Sequence, residues 1–304
     1  MSEPLGTKEN PWHFTSLEEY MYCPRKWLYG QTVGEPIYSW YALRGTIIHK
    51  TFEEGMERFS KIFHEEIEKT TQPIHVNPKL PASPEFLAKE HDTLSALLPH
   101  YWRVLKLFQI KILEREKQMS MCLPLEMCKG LKCGKQWFTG TVDAIAIHPD
   151  TPDGMVEIHD YKSGRKWPQE ALNRKLQFGG YYMLARQNGY NVNRVFWGHV
   201  QGLEVAKSNT KSGVLKGEYK NPFFYGVVIT ERDLAFVLEQ ALHVIHGIEA
   251  GVFPWASSGA DAPCGMCPYA MDVCPSFETG NRNDIHLEKM MDAIVAKRLR
   301  ENHE

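Results

Sequence analysis

The sequence predicts a mixed α/β fold, a central sheet flanked by helices. Three observations carry that expectation. Strand-like runs gather in the middle of the chain, near 110–127, 136–148 and 155–162, with 193–201 and FFYGVVIT following. Helix-like segments come before, between and after them, an order that suits helices packed on one sheet. The chain is large enough for a sizeable core, with 304 residues of which 43% are hydrophobic and 24% charged.

Taken in order, TSLEEYMYCPRKWLYG (15–30) reads as one capped helix. Thr15 or Ser16 is its N-cap, acids occupy its first turn, and Gly30 ends it. A second helix covers 40–63. The Pro-rich stretch 71–86 is a connection, and a helix follows it through about 108. Between the strands at 136–148 and 155–162 sits PDTPDG, a cluster of turn formers. A helix spans 168–189, and a polar excursion at 207–221 precedes FFYGVVIT. Next come a helix over 231–250, a Gly/Pro-rich segment with the last cysteines, and a polar helix over 284–301. With no internal repeat and no clear linker, 1–304 reads as a single domain. Its parts are an N-terminal helical region (15–63), a core (110–230), a cysteine segment (251–280) and a C-terminal helix (281–304).

No apolar run approaches transmembrane length, and MSEPLGTKENPWHF lacks the apolar core of a signal peptide. A cytoplasmic protein with no membrane partner is therefore expected. The net charge of −2 exerts no global pull on nucleic acid, so binding must come from local basic clusters such as CPRKW, KSGRK and NRK. Seven cysteines, an odd number, disfavour a disulfide framework and favour free thiols or metal ligands.

Four constellations carry chemistry. The first lies in WFTGTVDAIAIH and MVEIHDYKSGRK. In a strand, Val156, Ile158, Asp160 and Lys162 share one face, as do Asp143, Ile145 and Ile147. A hairpin centred on PDTPDG places Asp143 opposite Asp160. Like charges there are destabilising unless a proton or a cation lies between them. Hard oxygen ligands suit Mg²⁺ or Mn²⁺. Metal-assisted phosphodiester hydrolysis also needs a group that addresses the water, and Lys162 is a plausible proton acceptor if its cationic form is disfavoured. On its own, Asp-x-Lys reads equally well as a structural ion pair.

The second constellation is a helical stripe of Arg174, Gln177 and Tyr181 beside an apolar face of Leu172, Leu176, Gly180 and Met183. It is either an ordinary amphipathic helix or a polar stripe facing phosphates. The third is His49 in RGTIIHKTFEE, a lone helical histidine of the kind more often solvated than ligating. The fourth is CGMCPYAMDVCP, with Cys264, Cys267 and Cys274. Three clustered thiols indicate a metal site that wants a fourth ligand, drawn from Cys23 or from Cys122, Cys128 and Cys133.

YMYCPRKW, RGTIIHKTFEE, FTGTVDAI, IHDYKSG, QFGGYYMLA and GVFPWASSGADAPCGMCPYAMDVCP, in that order, resemble the iron–sulfur branch of the PD-(D/E)XK nucleases. That branch includes RecB-like exonucleases of the CRISPR-associated kind and the AddB nuclease domain. The resemblance runs from about residue 15 to 276. It implies a restriction-endonuclease-like core whose N- and C-terminal segments are joined by a 4Fe–4S cluster. It makes His49, Asp143 and Asp160 ligands of Mg²⁺ or Mn²⁺, Lys162 the catalytic lysine, and Gln177 and Tyr181 a pair that holds DNA. Cys23 joins Cys264, Cys267 and Cys274 at the cluster, and Glu116 is a further acidic candidate. The departures are Val142 where the motif name has proline, and aspartate at the (D/E) position. The implied activity is that of a DNA exonuclease acting on single-stranded ends, in recombination, CRISPR adaptation or phage DNA processing, with protein partners in a DNA-processing complex. The alternatives are a non-cleaving DNA-binding or scaffolding protein of the same fold, and a zinc-binding adaptor.

Overall fold

The computed structural model describes residues 4–34, 37–77, 79–132, 134–162, 172, 174–199, 224–254, 267–269 and 274. The strands are β1 (Trp12–His13), β2 (Tyr38–Ser39), β3 (Ile74–Asn77), β4 (Leu80–Pro81), β5 (Lys111–Leu123), β6 (Gln136–Ile147), β7 (Val156–Lys162), β8 (Val192–His199) and β9 (Phe224–Val227). The helices are α1 (Phe14–Tyr22), α2 (Pro24–Thr32), α3 (Trp40–Glu54), α4 (Phe59–Glu68), α5 (Pro84–Leu107), α6 (Leu176–Gln187) and α7 (Glu231–Glu249).

A six-stranded mixed sheet forms the centre. β5 and β6 make a long antiparallel ribbon. The other edge of β6 is shared, with β1 parallel to its start and β7 antiparallel to its end. β8 then runs parallel to β7, and β9 antiparallel to β8. β7 is covered on both faces, which explains its near-continuous burial. Ile158 belongs to a core shared with α1, α6 and α7, whereas Tyr161 belongs to a second core with α3, α4 and α5.

The expected hairpin register is the observed one. Ala144 pairs with His159, Ile145 with Ile158, and Ala146 with Glu157. Pairing with β6 stops there, although β7 stays on β8 as far as Lys162 and His199. Asp143 and Asp160 are the next residues along, so they lie where β6 and β7 part.

Several helix boundaries differ from the sequence reading. The segment 15–30 is two helices, because Pro24 disfavours the helical conformation at Cys23, whose φ is −156°. Neither Thr15 nor Ser16 is the N-cap, a position held by His13, and the Ser16 hydroxyl instead accepts from Trp27 Nε1 at 2.8 Å. α2 runs past Gly30 to Thr32. The helix expected over 40–63 divides at Gly55, whose φ of 109° suits only glycine. The stretch 71–86 is more than a connection, since β3 and β4 join β2 in a separate three-stranded sheet. α6 begins at Leu176, so Arg174 lies in the turn before it, off the expected helical stripe. The expectations for 163–171, 207–221 and 284–301 fall outside the described residues.

Candidate active site

The fork between β6 and β7 is lined with charge. Asp143 and Asp160 are both buried, at 5% and 1% exposure. Asp143 Oδ2 accepts the backbone N–H of Tyr161, standing in for a strand carbonyl where the ladder ends. Its Oδ1 is 3.2 Å from His49 Nδ1, which α3 brings across the sheet. Glu116 reaches the same nitrogen at 3.6 Å from β5. Glu116 sits between the pairs Arg115–Ala144 and Lys117–Val142, and its φ of 44° is left-handed. A non-glycine residue held there stores on the order of 1–3 kcal/mol of backbone strain, a cost typical of functional sites.

His49 Nε2 lies 3.1 Å from the Tyr161 carbonyl oxygen. A carbonyl only accepts, so Nε2 carries a proton and Nδ1 is the nitrogen aimed at the two carboxylates. Without a proton or cation between them, three lone-pair groups would converge. Burial alone would disfavour the imidazolium, but Asp143 and Glu116 outweigh it and hold the His49 pKa well above its ordinary value. His49, Glu116 and Asp143 each offer a ligand atom within 4.8 Å of the other two. One imidazole and two carboxylates make a donor set that fits Mg²⁺ or Mn²⁺.

Asp160, expected among the ligands, stands outside that trio. Its Oδ1 accepts from Lys162 Nζ at 2.9 Å and from Gln177 Nε2 at 3.1 Å. Its Oδ2 is buried with no hydrogen-bond partner, a lone pair open to a cation. Burial pushes the Asp160 pKa up to about 6; Asp143 pushes the same way, and Lys162 and His49 oppose. For Lys162 burial favours the neutral amine, yet Asp160 and Asp143 prevail and raise its pKa. The expectation of a disfavoured ammonium is therefore reversed in this arrangement.

Gln177 and Tyr181 meet on α6, Nε2 to hydroxyl at 2.8 Å. Burial and the neighbouring aspartates keep the Tyr181 phenol protonated. An open cleft of about 560 Å³ lies where α1 and α2 meet the start of α6, lined by Tyr22, Lys26, Arg174 and Lys175 with Glu18 and Glu19. Glu18, which sequence reasoning treated only as a first-turn acid, ties α1 to α6.

Of the expected cysteine set, Cys23, Cys267 and Cys274 are described and Cys264 lies outside the described residues. These thiols do not form a close three-ligand group like that of His49. Cys274 packs against the small buried cluster of Tyr29, Cys267 and Tyr269, and burial raises the Cys267 pKa to about 11. Cys23 is the N-cap of α2, its sulfur accepting from Lys26 N at 3.4 Å. Cys128 is buried in the main core with its pKa raised by burial, and Cys133 lies outside the described residues.

A family model described as the PD-(D/E)XK nuclease superfamily matches residues 11–275. The chain belongs to that superfamily. Membership implies a nuclease that uses a divalent metal ion and acts on DNA, and His49, Glu116 and Asp143 supply a donor group of the right kind. The superfamily's α/β core is the mixed sheet with flanking helices described above. No helix among the described residues is long and apolar enough to cross a membrane. No curated protein shows significant similarity to the chain.

Proposed function

We propose that this superfamily member is a metal-dependent deoxyribonuclease that trims single-stranded DNA from its ends. The observation that carries the reading is the fork itself. Two buried aspartates and a lysine stand where β6 and β7 part, with His49 and Glu116 converging on the first aspartate. His49, Glu116 and Asp143 would hold a divalent ion, and the buried Asp160 Oδ2 has no hydrogen-bond partner. Such an ion supplies Lewis acidity at the phosphoryl group and acidifies the attacking water. Lys162, held as an ammonium by Asp160, orients that water and offsets charge that develops on the phosphate. Gln177 keeps Asp160 in place, and the neutral Tyr181 phenol is left to donate to the strand.

The open cleft at the start of α6 carries groups that suit an unpaired strand. Its exposed Tyr22 offers a stacking face, and Arg174 and Lys175 offer cations to the backbone. Cys23, Cys264, Cys267 and Cys274 are proposed to hold a 4Fe–4S cluster that fastens the N-terminal helices to the C-terminal segment. On this reading, 1–304 is one nuclease domain working within a DNA-processing complex.

The test is cleavage of an end-labelled single-stranded oligonucleotide with Mg²⁺ or Mn²⁺, stopped by EDTA. Lys162→Ala should lower the rate about 10²-fold or more. Wild-type protein that binds the oligonucleotide and never cuts it would leave a non-cleaving scaffold instead. Anaerobically purified protein should be brown with about four irons per chain, colour that Cys23→Ala loses and Cys122→Ala, Cys128→Ala and Cys133→Ala keep. One zinc and no iron would favour an adaptor.

A further inference from the structure

α6 starts without a cap of its own. Its N-cap residue is Lys175, in extended conformation and with no side-chain cap bond. Lysine has no acceptor to offer, so the first amides of the helix need an oxygen from elsewhere. That oxygen comes from α1: Glu18 Oε1 accepts the backbone N–H of Gln177 at 3.1 Å, across 159 positions of sequence. Glu18 Oε2 lies 3.9 Å from Lys175 Nζ, with the two side chains 23% and 27% exposed. A carboxylate at this end of a helix also meets the positive pole of the helix dipole.

The residue being capped is the one whose side chain enters the candidate active site. Gln177 is held at both ends, its backbone by Glu18 and its amide nitrogen by Asp160 Oδ1 at 3.1 Å and the Tyr181 hydroxyl at 2.8 Å. The same two helices touch again one turn on, where Gly180 leaves room for the Phe14 ring. α1 therefore sets both the height and the rotation of α6 over the fork. Glu18 also lines the cleft, where a negative charge works against a phosphate backbone. A purely solvating role would be served as well by a neutral residue.

We propose that Glu18 is a positioning residue: from α1 it caps α6 and so holds the Gln177 amide against Asp160. The inference rests on the nuclease reading of the site for its effect on rate, but the cap itself does not.

Steady-state cleavage of a single-stranded oligonucleotide with Mg²⁺ or Mn²⁺ is measured for Glu18→Ala, Glu18→Gln, Gln177→Ala and the double variant Glu18→Ala/Gln177→Ala. Glu18→Ala should lower kcat about tenfold and change KM less than twofold. Glu18→Gln keeps an oxygen acceptor and should restore kcat to within about threefold of wild type. In the Gln177→Ala background, Glu18→Ala should cost less than a further twofold, because two residues acting through one contact are not additive. A merely structural role would shift the melting temperature and still cost its full tenfold in the double variant, and that result would overturn the proposal. So would a Glu18→Gln variant as slow as Glu18→Ala. If wild-type protein cleaves nothing, the nuclease reading fails separately and hydrogen exchange still decides the cap. The Gln177 amide should exchange at least fivefold faster in Glu18→Ala than in wild type, and unchanged protection would refute it.

Discussion

Replacing Asp160 by asparagine should flatten the pH dependence of the metal-free protein's stability and weaken its metal response. Asp160 is buried, and burial raises its pKa from 3.8 to about 6 even with Lys162 at 2.9 Å. A folded-state pKa above the unfolded one means that the native state holds its proton longer. Stability from this group is therefore full below about pH 3.8 and is lost as pH rises through about 6. At about 1.4 kcal/mol per pKa unit, the ionised carboxylate costs the fold on the order of 3 kcal/mol at neutral pH. Asparagine keeps an oxygen for Lys162 and Gln177, and it removes both the buried charge and the counter-ion of Lys162. Urea unfolding in EDTA should show wild type losing about 1–3 kcal/mol relative to Asp160→Asn between pH 4 and pH 7.5. Added Mg²⁺ or Mn²⁺ should raise wild-type stability more than that of the variant, which keeps His49, Glu116 and Asp143, and cleavage should be lost. A difference between wild type and variant that stays constant from pH 4 to pH 7.5 would refute the argument that the carboxylate is strained by burial.

Two further expectations concern the fold around the site. His159 is fully buried, 2.8 Å from His148, and burial lowers its pKa to about 3. Here the sign is opposite: stability is present above pH 6.5 and falls as acid protonates the unfolded chain first, by about 2 kcal/mol between pH 6.5 and 5. His159→Phe should flatten that part of a pH-stability profile, and an unchanged slope would count against a neutral buried imidazole. Gly180→Ala should cost about 1–3 kcal/mol in thermal or urea unfolding, because the new methyl runs into the Phe14 ring. A neutral outcome would mean that α1 and α6 can slide apart without penalty.

The hairpin was legible because its signals are local. PDTPDG marks the turn, alternation sets the faces, and a carboxylate opposite a carboxylate is too costly to be filler. His49 was legible only through family resemblance, since nothing in one helical turn says that the Tyr161 carbonyl and two acids await it. The Glu116 backbone could not be foreseen, because glutamate carries no preference for positive φ and tertiary packing imposes it. The break at Cys23 was readable from Pro24, and the capping pattern around Ser16 masked it. The small sheet of β2, β3 and β4 escaped because its strands have 2, 4 and 2 residues and owe their pairing to context. The Lys162 charge depends on a balance of distances in space, which spacing along a chain does not contain. The link from Glu18 to Gln177 is of the same kind.

The seat of α1 and α2 has a consequence in time. These helices are made before the central sheet, yet part of what they pack against, Val252 and Phe253, is made after it. The Tyr20 hydroxyl donates to the Val252 carbonyl, Arg25 Nε donates to that of Phe253, and the Trp27 ring stacks on Phe253 at an interplanar angle of 8°. Contacts of such long span form late in folding, because a large loop must close before they return anything. The acid proposed to steady α6 therefore reaches its final place only after Phe253 has been synthesised. A growing polypeptide cannot assemble a finished fork before that segment has emerged.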